Sequence, residues 1–164
     1  LSVLISGIII KGNDLISVKD EIQLIESYLS IQKLRYVEYL DYNIEYNEEV
    51  LKYQIPKLTL QPLVENSIYH GLKEKEEKGF LFIKAFLEQD VVKIEVIDDG
   101  VGMTEEQISR ALNHSPDDSR CSDFGLYSVD KRLKLLYGEQ YGLSIESKVK
   151  EYTKVTVYLP AIIA

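Results

Sequence analysis

The stretch FLFIKAFLEQDVVKIEVID, residues 80–98, decides the fold of this 164-residue chain. Residues 80–88 and 91–98 are rich in β-branched and aromatic side chains, and only Gln89 and Asp90 separate them. Two such runs joined by two residues are typical of an antiparallel β-hairpin. The fold is therefore expected to be built on a sheet that contains this hairpin.

Helices and further strands are predicted on both sides of the hairpin from periodicity and end signals. In chain order they are a helix from the N-cap Ser17 to about Tyr36, a strand at 40–46, a helix that opens between Pro56 and Pro62 and stops at Gly71, a short helix capped by Thr104 with Gln107, a helix from Leu126 to Gly138, and strands at 143–147 and 153–159. The polar run 113–123 predicts a mobile loop.

Hairpin-paired strands with helices between them indicate an α+β fold. The prediction is a two-layer α/β sandwich in which helices cover one face of a mixed, mostly antiparallel sheet. A doubly wound parallel sheet is disfavoured.

The first ten residues form the most apolar stretch, but a bilayer span needs about 18 to 20 residues. They also lack the basic start and cleavage site of a signal peptide. Residues 1–16 are interpreted as the end of a truncated dimerisation and phosphoacceptor helix, with a strand or short core helix as the alternative. Residues 17–164 are predicted to form one compact domain.

The composition excludes several classes of function. A net charge of −8 with scattered basic residues argues against nucleic-acid or anionic-membrane surfaces. The single cysteine, Cys121, excludes an intrachain disulfide and a cysteine zinc cluster, and so favours a reducing compartment. If this acidic domain binds a polyanion such as ATP, it has to use a metal, backbone amides or a few placed cations.

Three places could carry chemistry. On the second predicted helix, Asn66 and His70 point the same way and Glu65 lies off the buried stripe, so they could meet Mg²⁺ and phosphates; a solvated helix face is the alternative. Asp98 falls on the inward face at a strand end, where the amino group of a purine is a suitable donor for its carboxylate.

Glycines follow Asp98, and another glycine marks the third place. Gly100 and Gly102 leave room for a flat ring near the backbone, although a tight turn explains them equally well. Gly125 opens a helix whose free amides could receive a triphosphate, although an ordinary loop-to-helix junction fits too.

The order of these motifs resembles the GHKL ATPase superfamily, and more narrowly sensor histidine kinases of the LytS/YesM type. The resemblance rests on PKLTLQPLVENSIYHG at 56–71, DDGVGM at 98–103, FGL at 124–126 and KRL at 131–133. In addition, YLSIQKLRY at 28–36 is similar to the linker that leads into the ATPase domain of that subfamily.

This resemblance implies a Bergerat fold that binds ATP with Mg²⁺ and transfers the γ-phosphate to a histidine. It assigns Asn66 to the metal, Glu65 to the catalytic base, Asp98 to the adenine amino group, and residues 113–124 to the ATP lid. The other residues that it places in nucleotide binding are His70, Lys73, Gly100, Gly102, Met103, Phe124, Gly125, Leu126 and Thr153.

Two positions depart from the family pattern. Asp123 stands where a glycine is usual, which favours weaker lid closure and nucleotide binding through lost backbone freedom and added negative charge. Asp99 stands where asparagine is commoner. A catalytically degenerate module that acts as a nucleotide-binding or dimeric regulatory platform is therefore an alternative. Another GHKL enzyme, of the gyrase, Hsp90, MutL or anti-sigma-factor-kinase type, is a second alternative, although such enzymes lack the linker resemblance at 28–36.

The accepting histidine of the family lies upstream of the segment that matches residues 1–10. His70 belongs to the expected ATP site and His114 to the expected lid, so this chain is expected to bind ATP without phosphorylating itself. By resemblance, the parent protein is a bacterial, membrane-anchored homodimer with this domain in the cytoplasm. It passes phosphate to a response regulator.

Overall fold

The computed structural model describes residues 3–5, 8–10, 14–113 and 125–164. The strands are β1 (Val3–Ile5), β2 (Ile8–Ile10), β3 (Leu15–Ser17), β4 (Leu40–Tyr46), β5 (Gln54–Pro56), β6 (Gly79–Glu88), β7 (Val91–Asp98), β8 (Gly142–Lys148) and β9 (Tyr152–Pro160). The helices are α1 (Val18–Arg35), α2 (Leu60–Asn66), α3 (Glu105–Asn113) and α4 (Leu126–Tyr137). A π-helical turn, Ser67–Leu72, continues α2 directly.

The main sheet has five strands in the order β4-β6-β7-β9-β8. β4 runs parallel to β6, and every other neighbouring pair is antiparallel. The predicted hairpin is confirmed, because Glu88 pairs with Val91 across a two-residue connection. Gln89 and Asp90 both have positive φ, 51° and 63°, as the preferred two-residue hairpin turn requires.

The core lies between one face of this sheet and the helices. Alternate residues of β7 (Val92, Ile94 and Val96) are fully buried, as strand parity predicts. They belong to one apolar cluster with the buried stripes of α1, α2 and α4. The α+β sandwich with helices on one face is confirmed.

Helix-end signals in the sequence act as predicted at three places. The Ser17 hydroxyl accepts the Asp20 amide at 3.1 Å and begins α1. Thr104 and Gln107 form a reciprocal capping box at α3, with contacts of 2.8 and 3.2 Å. Gly138, with φ of 113°, ends α4.

The helix predicted within residues 1–16 is wrong for the described residues. β1 and β2 pair antiparallel, with Ile5 opposite Ile8, and β3 pairs antiparallel with β5. Val3, Ile5 and the three isoleucines of β2 are β-branched, which favours extended backbone over helix. The strand alternative for this segment is the correct one, and the domain boundary at residues 16 and 17 stays a prediction.

Gly71 does not stop the second helix, contrary to the prediction. The helix continues through the π turn to Leu72 and a short 3₁₀ turn, and Glu76 (φ 62°) is the residue in left-handed conformation. Gly71 has no positive φ. Its lack of a side chain serves a close contact with Asp98 instead, because a Cβ there would lie 2.5 Å from Asp98 Oδ1.

Candidate nucleotide-binding cleft

A cleft of about 190 Å³ opens where α2 and its π turn, the loop after β7 and the start of α3 meet. Its floor is formed by the end of β7 and the neighbouring position of β9, because Asp98 and Thr153 are paired in the sheet register. The lining residues are Asn66, His70, Gly71, Glu74, Asp98, Val101, Gly102, Met103, Gln107, Arg110 and Thr153. The π turn fits such a location, since π-bulges are frequent at functional sites.

Asp98 is a buried carboxylate on the floor of the cleft, with 1% of its surface exposed. Burial raises the pKa of this carboxyl to about 6, although the Gly100 amide, which donates to Oδ1 at 3.0 Å, opposes the shift. The adjacent Ser67 hydroxyl also lowers this pKa, although its geometry falls short of a hydrogen bond to any described residue. Because an ionised carboxylate only accepts hydrogen bonds, this floor is suited to a ligand N–H.

Glycines shape the wall beside Asp98. A Cβ on Gly100 would collide with the Gly71 backbone, and the Val101 amide donates to the Gly71 carbonyl at 3.1 Å. Gly102 has φ of 72°, and a Cβ there would meet the Lys148 carbonyl. Gly102 lines the cleft, but the room at Gly100 is filled by Gly71 rather than open to a ligand.

Thr153 is oriented by a hydroxyl network that the sequence interpretation missed. Ser147 Oγ donates to the Tyr152 carbonyl at 2.6 Å and accepts the Met103 amide at 2.8 Å. Its one proton is thereby used, so the Thr153 hydroxyl, 2.9 Å away, is the donor between the two. Thr153 Oγ1 therefore faces any ligand as an acceptor. The signal that could have revealed this network is the position of Ser147 and Thr153 at the facing ends of the two last predicted strands, which pair in the structure.

The residues predicted on α2 separate into two groups. Asn66, 5% exposed, and His70 line the cleft together, as their spacing predicts. Glu65 is outside the lining and accepts the Gln61 amide group at 3.0 Å. Lys73 is also outside it, with its ammonium 5.9 Å from the centre of the Tyr69 ring.

Of the nucleotide-binding residues predicted next to the lid, the two that the structure describes, Gly125 and Leu126, do not line the cleft. Leu126 is fully buried in the core, and Gly125, with φ of 65°, begins α4 without lining the cleft. Phe124, Asp123 and the predicted loop beyond Asn113 lie outside the described residues. Glu74, Val101, Gln107 and Arg110 line the cleft although the sequence did not single them out.

The family model described as "Histidine kinase-, DNA gyrase B-, and HSP90-like ATPase" matches residues 54–163, well over half of the chain. The chain belongs to this ATPase family. The match includes every described lining residue of the cleft, from Asn66 to Thr153.

Several relatives of this ATPase domain are sensor histidine kinases. Sensor histidine kinase BtsS of Escherichia coli (strain K12) is 32% identical over 150 residues, which cover 92% of this chain and 25% of that protein. Sensor histidine kinase YpdA of the same strain is 35% identical over 152 residues (92% and 26%). Sensor histidine kinase YesM of Bacillus subtilis (strain 168) is 31% identical over 147 residues (90% and 24%). The chain spans about a quarter of the length of these relatives.

Solved structures share the fold. The nucleotide-free catalytic domain of histidine kinase ThkA has a TM-score of 0.69 at 15% identity, covering 90% of this chain and 95% of that one. Histidine kinase ThkA in complex with response regulator protein TrrA has a TM-score of 0.63 at 15% identity, covering 90% and 41%. The α+β fold expected from the family resemblance is thus confirmed.

The ATPase domain holds α2 through a buried carboxylate on α1. Glu21 is 2% exposed, and its two oxygens accept the Leu58 and Leu60 amides, each at 3.1 Å. Burial raises the pKa of this carboxyl, and these amides oppose the shift. Arg132 of α4 donates to Thr59 Oγ1 at 3.0 Å in the same segment. The helix that carries Asn66 and His70 is therefore fixed at its start by both neighbouring helices.

Asp99, one of the two departures from the family pattern, has structural contacts. Its Oδ1 accepts the Phe80 amide at 2.8 Å, and its Oδ2 lies 3.2 Å from the Lys75 ammonium. An asparagine could accept the amide but could not form the ion pair. The aspartate therefore ties the end of the hairpin to the 3₁₀ turn that follows α2.

No group of three or more His, Cys, Asp or Glu side chains within the described ranges could hold a metal by itself. The Asn66 side chain lies on the cleft wall and offers one amide oxygen. Mg²⁺ in nucleotide sites commonly takes one or two protein oxygens and completes its shell with phosphates and water. The donor set therefore fits a metal that arrives with a nucleotide.

In the described part of the chain, no helix is long and apolar enough to cross a membrane.

Proposed function

We propose that this domain binds ATP with Mg²⁺ in the cleft and is the catalytic portion of a two-component sensor histidine kinase. The observation that carries the proposal is the buried Asp98 carboxylate at the floor of a cleft in a domain of this ATPase family. The kinase assignment is supported by relatives of the BtsS and YesM type, which match over nearly the whole chain.

In this proposal Asp98 accepts a hydrogen bond from the exocyclic amino group of adenine. Thr153 Oγ1, which the Ser147 network turns into an acceptor, faces the same region of the cleft. Two adjacent acceptors favour a base that presents an amino group to them. Gly102 and Met103 line the cleft next to this floor, where the base would lie.

The α2 side of the cleft is assigned to the phosphates. Asn66 would supply an oxygen to Mg²⁺, and His70 lies one turn further along, within reach of the same region. When bound, the metal would neutralise phosphate charge during transfer. Glu65, next to Asn66, is the proposed base toward the accepting imidazole. Its place outside the cleft lining suits contact with a group that approaches from another part of the protein.

The accepting histidine is proposed to lie outside this chain, because His70 lines the nucleotide cleft. The parent protein is proposed to be a membrane-anchored homodimer that passes the phosphate to a response regulator. The ThkA structure with TrrA supports such a partner for a domain of this fold.

Calorimetric titration with ADP and a non-hydrolysable ATP analogue, with and without Mg²⁺, tests the nucleotide site. Asp98→Asn is expected to weaken binding strongly. Asp90→Asn is the matched control, because it makes the same change at the opposite end of β7, in the hairpin turn. Binding that fails in wild type at millimolar nucleotide, or that survives unchanged in Asp98→Asn, contradicts the proposal.

Phosphoryl transfer is tested separately with labelled ATP. This chain alone is expected to incorporate no stable phosphate. Addition of a segment of the parent protein that carries the proposed accepting histidine is expected to yield acid-labile phosphohistidine on that segment. Glu65→Gln is expected to slow the transfer with little change in ADP affinity. Stable phosphorylation of this chain by itself would contradict the assignment of the acceptor.

A further inference from the structure

The charge of the cleft poses a problem for a polyanionic ligand. The chain carries a net charge of −8, and two of the described lining residues, Glu74 and Asp98, are acidic. Lys73, which the family resemblance places in nucleotide binding, is outside the lining. Among the described residues that line the cleft, Arg110 is the one that bears a permanent positive charge.

Arg110 lines the cleft from α3, whereas Asn66 and His70 line it from α2 and its π turn. Arg110 lies one helical turn after Gln107, and the two side chains line the cleft from the same helix face. The capping box of Thr104 and Gln107 fixes where α3 begins, so the direction of Arg110 follows from a defined helix start. The Arg110 side chain is 43% exposed and therefore accessible to a ligand.

The present partner of Arg110 is exchangeable. Arg110 Nη2 lies 2.8 Å from Glu106 Oε1, and the Glu106 side chain is 82% exposed. Exposed ion pairs of this kind contribute little to stability because water screens them. A phosphate offers the guanidinium a bidentate acceptor with more charge, so exchange of Glu106 for a phosphate costs little.

We propose that Arg110 is a nucleotide-binding residue that contacts the phosphate chain of a nucleoside di- or triphosphate. The contact is ionic and directed at phosphate rather than base, and Glu106 holds the guanidinium when no nucleotide is bound. This inference rests on the proposed function. It adds to it the cation that an acidic domain needs for a polyanion.

The test compares ADP with adenosine, which lacks phosphate, by calorimetry on wild type and Arg110→Gln. Loss of a charge-assisted pair predicts that ADP affinity falls about tenfold or more in Arg110→Gln, while adenosine affinity stays within about twofold. Arg110→Lys is expected to recover part of the ADP affinity. The dependence of ADP affinity on salt is expected to become shallower in Arg110→Gln.

Arg35→Gln is the matched control, because it removes the same charge at the end of α1, outside the cleft lining. It is expected to leave both affinities unchanged. The inference is overturned if Arg110→Gln binds ADP as wild type does, or if it loses ADP and adenosine equally, since the residue would then only shape the cleft. Wild type that binds neither ligand refutes the proposed function itself, and this inference with it.

Discussion

Asp98 is expected to make the unliganded domain lose stability between mildly acidic and neutral pH, a loss that its asparagine variant does not share. Its folded-state pKa of about 6 exceeds the ordinary value of 3.8. The folded protein therefore binds more protons than the unfolded chain between these values, and stability falls as pH rises through this window. The difference of about 2 pKa units corresponds to about 3 kcal/mol of lost stability above the window.

The assay is urea unfolding of wild type and Asp98→Asn at about pH 4.5 and about pH 7.5. Titration of Asp98 alone predicts that the free energy of unfolding of wild type falls by about 2 kcal/mol between these two pH values. Relative to wild type, Asp98→Asn is expected to be about 2 kcal/mol more stable at the higher pH than at the lower pH, because asparagine stays neutral. The comparison between the two proteins cancels the titration of the groups that do not interact with residue 98.

Asp90→Asn supplies the control, since this residue lies in the exposed hairpin turn. Its unfolding free energy relative to wild type is expected to be the same at both pH values. A wild-type minus Asp98→Asn difference that does not change with pH would refute the claim that burial of this carboxylate is costly. A change of opposite sign would show that hydrogen bonds to the carboxylate outweigh its desolvation.

Three further perturbations follow from the same contacts. Adenosine affinity of wild type is expected to fall about fourfold between about pH 7.5 and 5.5, as Asp98 takes up its proton; calorimetry checks this, and adenosine avoids the titration of phosphates. Gly71→Ala puts a Cβ 2.5 Å from Asp98 Oδ1, so adenosine binding is expected to fall more than about tenfold and unfolding free energy by about 1–3 kcal/mol, measured by titration and urea unfolding. Glu21→Ala leaves the Leu58 and Leu60 amides without their buried acceptor and is expected to cost about 3 kcal/mol in urea unfolding, while Glu26→Ala on the exposed side of α1 costs little.

Most helices and strands were predictable from signals between residues that are close in the sequence. The hairpin turn, the capping box and the buried stripe of α2 each depend on residues within one or two turns of each other, and each was predictable. The motif order also predicted a cleft that contains Asn66, His70 and Asp98. These three residues come from motifs that the resemblance to the ATPase superfamily puts in one site.

Contacts between distant segments were not predictable. Gly71 was interpreted as a helix stop because glycine often ends helices. Its contact with Asp98, 27 positions away in the sequence, leaves no local signal. Ser147 and Arg110 were missed because a serine in a strand and an arginine on a polar helix are both ordinary surface patterns. Residues 1–10 were interpreted as a helix from their apolar character, although their β-branched content favoured strands.

The energetics of Asp98 connect stability with recognition. Asparagine could accept the same hydrogen bond, but its amide group would also need an acceptor in the cleft. The ionised carboxylate has acceptors only, one of which already receives the Gly100 amide. Its desolvation is not fully offset in the unliganded domain, as the raised pKa indicates. An adenine amino group would supply the missing donor, so ligand binding is expected to stabilise the fold more at neutral pH than below the pKa of Asp98.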